Sequence, residues 1–141
     1  MDTTRIVELV TKHFPATQAV YLYGSRARGE ERADSDLDLA VLLPPAGTGD
    51  DETAVAGALA FEELRGALEG ATGLMVDLVS LRAVSTVLQK EVVTGGLRLF
   101  TGDERAADEF EMLTLSYYQK LNEERREILE AFRRTGRAVP L

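Results

Sequence analysis

Residues 23–39 read YGSRARGEERADSDLDL. An apolar run ends at Tyr23 on a Gly24-Ser25 corner. Ten residues later Asp36 and Asp38 flank Leu37 at the opening of the next apolar run. That second run, LDLAVLL over Leu37–Leu43, is closed by Pro44-Pro45 and reads as a strand. Side chains at i and i+2 of a strand share a face. Leu37, Leu39, Val41 and Leu43 therefore supply one face, while Asp36 and Asp38 share the other with Cα atoms ~6.6 Å apart. Two carboxylates at that spacing can share one divalent cation and contribute to a second.

Working outward, Ala19–Tyr23 (AVYLY) is β-branched and aromatic and reads as a strand ended by Gly24. Ile6, Val7, Leu9 and Val10 give residues 3–13 the spacing of a short amphipathic helix that Pro15 stops. Residues 44–52, PPAGTGDDE, are a loop by composition. A helix is expected over 52–69, with Val55, Leu59, Leu64 and Leu68 toward the core and Gly70 and Gly73 ending it. A third strand follows at Leu74–Val79, then a helix over 82–93 closed by Gly95-Gly96, then a short strand at Leu97–Phe100. From Asp103, a natural N-cap, to Thr135 there is no Gly or Pro. Ala106, Phe110, Leu113, Tyr117, Leu121, Ile128 and Phe132 keep helical spacing there. Such a helix is roughly 50 Å long, against ~35–40 Å for the diameter of a domain this size. Unbroken it overhangs the domain; bent it folds back. The pattern predicts an α/β (α+β) fold, a small mixed sheet with flanking helices and a long C-terminal helix, in a single domain spanning 1–141.

A third acid, Asp77, interrupts LMVDLV, a strand that otherwise reads as buried. An unpaired carboxylate there would be costly, so a base, a proton or a metal is expected beside it. If this strand neighbours the second, Asp77 joins Asp36 and Asp38. Carboxylates ~6 Å apart repel by roughly 3 kcal/mol per pair at an effective dielectric of ~20. Oxygen-only ligands of that kind favour magnesium or manganese. Gly24 and Ser25 open a turn whose backbone N–H groups and hydroxyl can face an anion, and Arg28 lies three residues on. A polyphosphate with its cations would draw these basic and acidic residues together. Taken singly, each feature has an ordinary meaning: a turn, a solvated charged face, a strand cap. Only their combination points to chemistry.

The whole chain bounds the rest. It has 141 residues, a net charge of −8 and no cysteine. So acidic a surface is a poor non-specific nucleic-acid binder, and no direct nucleic-acid binding is expected. The absence of thiols fits a reducing cytoplasm. No run is long enough for a membrane span, and the N-terminus carries no signal-peptide pattern.

Gly24-Ser25, ten intervening residues, then Asp36-x-Asp38 resembles the G-S-x10-D-x-D motif of the DNA polymerase β-like nucleotidyltransferase superfamily. The string GSRARGEERADSDLDL is similar to that of the minimal nucleotidyltransferases, the antitoxin partners of HEPN-domain toxins. The resemblance extends over the strand with Asp77, the GLRLFTGD segment at 96–103 and the terminal helix. It implies that Asp36, Asp38 and Asp77 are the catalytic, metal-binding carboxylates, with Asp77 completing the metal site and assisting the attacking hydroxyl. It implies that Gly24, Ser25, Arg28 and Ser35 contact the nucleotide, while Arg26 is a candidate only. The implied activity is transfer of AMP from ATP, with Mg2+ or Mn2+, to a tyrosine hydroxyl of the HEPN RNase toxin in a hetero-oligomeric complex. HEPN toxins share an Arg-x4–6-His motif. His13 is the sole histidine and Arg5 lies too far ahead of it, so this chain is not the toxin.

Two other readings remain open. The chain could silence the toxin by contact alone, with Leu115, Tyr117, Tyr118 and Leu121 as candidate contacts. It could also modify a small molecule, as aminoglycoside nucleotidyltransferases do. Those carry an additional helical domain for the drug, which is not expected here.

Overall fold

Each of the four α-helices among the described residues begins on a side chain that accepts from an exposed first-turn N–H group. Asp2 caps α1 (Thr3–His13), Asp50 caps α2 (Asp51–Thr72), Ser85 caps α3 (Thr86–Gly95) and Asp103 caps α4 (Glu104–Thr135). Gly73 and Gly136 close α2 and α4 in the left-handed conformation. The structure, a computed structural model, describes residues 2–47 and 50–136. Thr48 and Gly49 of the expected 44–52 loop lie outside the described residues.

The strands are β1 (Ala19–Tyr23), β2 (Leu37–Leu42), β3 (Val76–Ser80) and β4 (Leu97–Thr101). They form one mixed sheet in the order β3-β2-β1-β4. β1 pairs antiparallel with β2 and with β4, and β2 pairs parallel with β3 through the α2 crossover. Helices cover both faces. Ile6, Leu9 and Val10 of α1 and Leu64 and Leu68 of α2 pack with Val20, Leu22, Leu37, Leu39 and Val41 on one face. Ala19, Tyr21, Tyr23, Ala40 and Leu42 meet Leu81, Val92, Ala107 and Phe110 on the other.

Several expectations are corrected. Val55 and Leu59 are 58% and 63% exposed, because α2 starts well before it reaches the sheet; only its Leu64 and Leu68 are buried. Gly70 lies inside α2 and Gly73 alone ends it. The helix expected at 82–93 begins at Thr86, after a short 3₁₀ turn at Leu81–Ala83. Asp77 is exposed, because β3 is an edge strand and its ends face water. On α4, Ala107, Phe110, Thr114 and Ala131 are the buried positions, while Leu113, Tyr117, Ile128 and Phe132 are exposed. α4 runs unbroken for 32 residues, ~48 Å. Its N-terminal turns carry most of the packing against α3 and the sheet. Among the described residues, no helix is long and apolar enough to cross a membrane.

Candidate active site

The sheet brings two of the acids side by side. In the parallel β2–β3 ladder Asp38 lies opposite Asp77, and in the antiparallel β1–β2 ladder Tyr23 lies opposite Asp38. Tyr23, Asp38 and Asp77 thus form a row across three strands on one face, at the end of the sheet where β1 stops. Asp36 stands two residues before Asp38, just ahead of β2, and is exposed.

Charge makes the row a strained place for carboxylates. Partial burial raises the pKa of Asp38, and the neighbouring charges of Asp77 and Asp36 raise it further. Arg28 opposes the rise, and Glu91 of α3 adds to it. The Tyr23 phenol is driven well above its ordinary range by burial, then by the charges of Asp77 and Asp38. It stays protonated and donates to Asp77 Oδ2 at 3.5 Å. A site this negative, built from hard oxygen donors, matches a hard divalent cation. Among the described residues, no three His, Cys, Asp or Glu side chains are closed into a ready coordination shell. Like charges held apart in this way need a counter-charge to draw in.

Gly24 is fixed by two demands at once. Its φ is +73°, a conformation that side chains disfavour, and a Cβ there would fall on Asp38 Oδ2. The Gly-Ser corner and the Asp38 carboxylate are therefore in van der Waals register. The turn that follows is tied by Ala27 N–H and Arg28 N–H to the Gly24 carbonyl, at 3.2 and 3.3 Å. Arg28 is exposed, with Nε 3.1 Å from Glu30 Oε2 and Nη1 4.0 Å from Glu91 Oε1.

Ser35 is tied into its turn. Its hydroxyl accepts from Arg32 N–H at 2.7 Å, and its carbonyl accepts from Arg26 Nη2 at 2.9 Å. Arg26 leaves its Nε buried with no partner among the described residues, and it lines a cavity of about 500 Å³ with Arg5 and Arg32. That cavity is walled by α1, the 26–33 loop and the end of α2, so it lies away from the carboxylate row. His13 sits at the end of α1, its Nδ1 2.9 Å from the Leu9 carbonyl, far along the chain from these groups. Tyr23 and Glu91 were not singled out in the sequence. Tyr23 reads there as one more apolar strand residue, and the placement of α3 that brings Glu91 near has no local signal.

The chain is similar to known nucleotidyltransferases. The sequence profile described as "Polymerase beta, Nucleotidyltransferase" matches residues 5–105. The chain is 37% identical over 130 residues to the protein adenylyltransferase MntA of Shewanella oneidensis, covering 92% of this chain and 86% of that one. It superposes with a TM-score of 0.75 on a toxin–antitoxin crystal structure with AMP-PNP, at 37% identity over 92% of this chain and 97% of that chain. A structure of the tri-AMPylated Shewanella oneidensis HEPN toxin in complex with MNT antitoxin matches at TM-score 0.67 and 36% identity, over 91% of this chain and 92% of that chain.

Proposed function

Given that the chain belongs to the polymerase beta nucleotidyltransferase family, we propose that it is the antitoxin of a toxin–antitoxin pair and a protein adenylyltransferase. It transfers AMP from ATP to a tyrosine hydroxyl of its HEPN RNase toxin. The observation that carries this reading is Asp38 standing against Gly24 of the Gly-Ser corner and paired across the ladder with Asp77.

The residues take the following roles. Gly24 and Ser25 form the corner against which the triphosphate lies, with Arg28 released from Glu30 and Glu91 to meet phosphate oxygens. Ser35 keeps the turn before Asp36 and donates a hydrogen bond from its hydroxyl to a phosphate oxygen. The acceptor oxygen attacks the α-phosphorus in line; a P–O bond to AMP forms as the bond to the β-phosphate bridging oxygen breaks, and pyrophosphate leaves. A tyrosine hydroxyl ordinarily titrates near ~10, so its proton needs an acceptor, a role we assign to the carboxylate of Asp77, exposed at the sheet edge. Asp36, Asp38 and Asp77 would hold Mg2+ or Mn2+, which when bound supplies charge neutralisation for the triphosphate and the reacting oxygens. Residues 1–141 act as one domain, in the cytoplasm, in a hetero-oligomer with the toxin.

Incubation with the partner toxin, ATP and Mg2+ is expected to yield toxin heavier by one or more AMP units in intact-mass spectra. Asp36→Ala with Asp38→Ala is expected to lower that transfer by roughly 10²–10³-fold or more. An unmodified toxin in the presence of the metal would remove the catalytic reading. A second reading is supported by the exposed Leu115, Tyr117, Ile128, Leu129 and Phe132 of α4: neutralisation by contact alone. Full neutralisation by the double alanine variant would favour it.

A further inference from the structure

We propose that Tyr23 is a positioning residue for the reaction, holding Asp77 in line with Asp38 through its phenol O–H. This rests on the functional reading above and extends it to a side chain outside the Gly-Ser and Asp-x-Asp motifs.

The geometry is specific. Tyr23 is the last residue of β1 and is 6% exposed, with its ring against the α3–α4 side of the sheet. Asp77 belongs to the strand beyond β2, two strand spacings away, or ~10 Å between backbones. A short side chain at 23 could not span that gap; a phenol crosses over Asp38 and reaches Asp77 Oδ2 at 3.5 Å. Among the described residues, Tyr23 is the side chain recorded as donating to Asp77. Without it, an exposed carboxylate on an edge strand is free to turn into water, away from Asp38. Partners of this outer kind orient a ligand and raise its effectiveness without touching the ion themselves.

Tyr21 supplies the control. It lies on the same strand and the same face, and its hydroxyl donates to Glu111 Oε2 on α4 at 2.8 Å, away from the acids. Removing either phenol oxygen costs a hydrogen bond, but only one of them faces the site.

The experiment compares wild type, Tyr23→Phe, Tyr21→Phe, Asp77→Asn and Tyr23→Phe/Asp77→Asn. Mn2+ binding is titrated by electron paramagnetic resonance with AMP-PNP present, beside melting in EDTA and steady-state AMP transfer. Tyr23→Phe is expected to weaken Mn2+ binding roughly tenfold and to lower kcat, with KM for ATP unchanged. Tyr21→Phe is expected to leave Mn2+ binding at the wild-type value. In the Asp77→Asn background, Tyr23→Phe is expected to add nothing. Wild-type Mn2+ binding and kcat in Tyr23→Phe would overturn the inference, as would equal losses with and without Asp77. A wild-type protein that binds no Mn2+ would instead overturn the functional reading on which it rests.

Discussion

β2 has two faces that share a backbone and little else. On one, Leu37, Leu39 and Val41 are fully buried against α1 and α2. On the other, Asp38 stands beside Asp77 and under Gly24, half in water and crowded by like charge. The first face contributes stability and no chemistry. The second gives up apolar contact at its end to hold charges that repel one another in the free protein. The rest of the strand, Ala40 and Leu42 included, is buried, and that burial offsets an unfavourable cluster at its first residues.

Substitutions on the two faces should therefore separate stability from activity. Leu39→Ala, on the dry face, should cost about 2–5 kcal/mol of unfolding free energy, while leaving AMP transfer per folded molecule near wild type at temperatures well below its melt. Denaturant titration beside a transfer assay checks this, and a large loss of turnover in the folded fraction would break the division. Gly24→Ala, on the wet face, should do the reverse. The left-handed backbone costs roughly 1–2 kcal/mol, and the new methyl displaces Asp38, so transfer should fall by more than about tenfold with a smaller change in melting.

The gentlest change sharpens the contrast by improving the fold. The folded-state pKa of Asp38 is raised, so the folded protein binds that proton more readily than the unfolded chain. The penalty is present at neutral pH and is relieved as pH falls through the raised folded pKa toward the unfolded value. Asp38→Asn should thus stabilise the metal-free protein at neutral pH, by less than about 1 kcal/mol for so solvated a group. The advantage should shrink on acidification, while transfer is lost. Melting curves in EDTA across that range would show it; a destabilised variant at neutral pH would contradict the cluster.

Much of this was legible beforehand because it depends on local parity. Strand alternation puts Asp38 opposite Leu37 and Leu39 whatever surrounds them. The cap at Asp103 is equally local. What escaped depends on the order of strands. LMVDLV looks interior by composition, yet β3 is at the edge, so Asp77 is exposed. Val55 and Leu59 follow helical spacing, yet α2 has not reached the sheet at those positions. The same holds for Leu113, Tyr117, Ile128 and Phe132, whose periodic stripe on α4 is left exposed among the described residues. Apolar periodicity reports that a surface wants cover; it does not report which molecule supplies it.

The alternation along β2 also governs which mutations the gene can absorb. Loss of a single codon between Leu39 and Leu42 would exchange the sides of every strand residue beyond it, sending side chains fitted to α1 and α2 against the α3–α4 layer and the reverse. Loss of two would shorten the strand but restore the sides. This segment should therefore tolerate length changes only in even steps, a rule of descent written into a pleat.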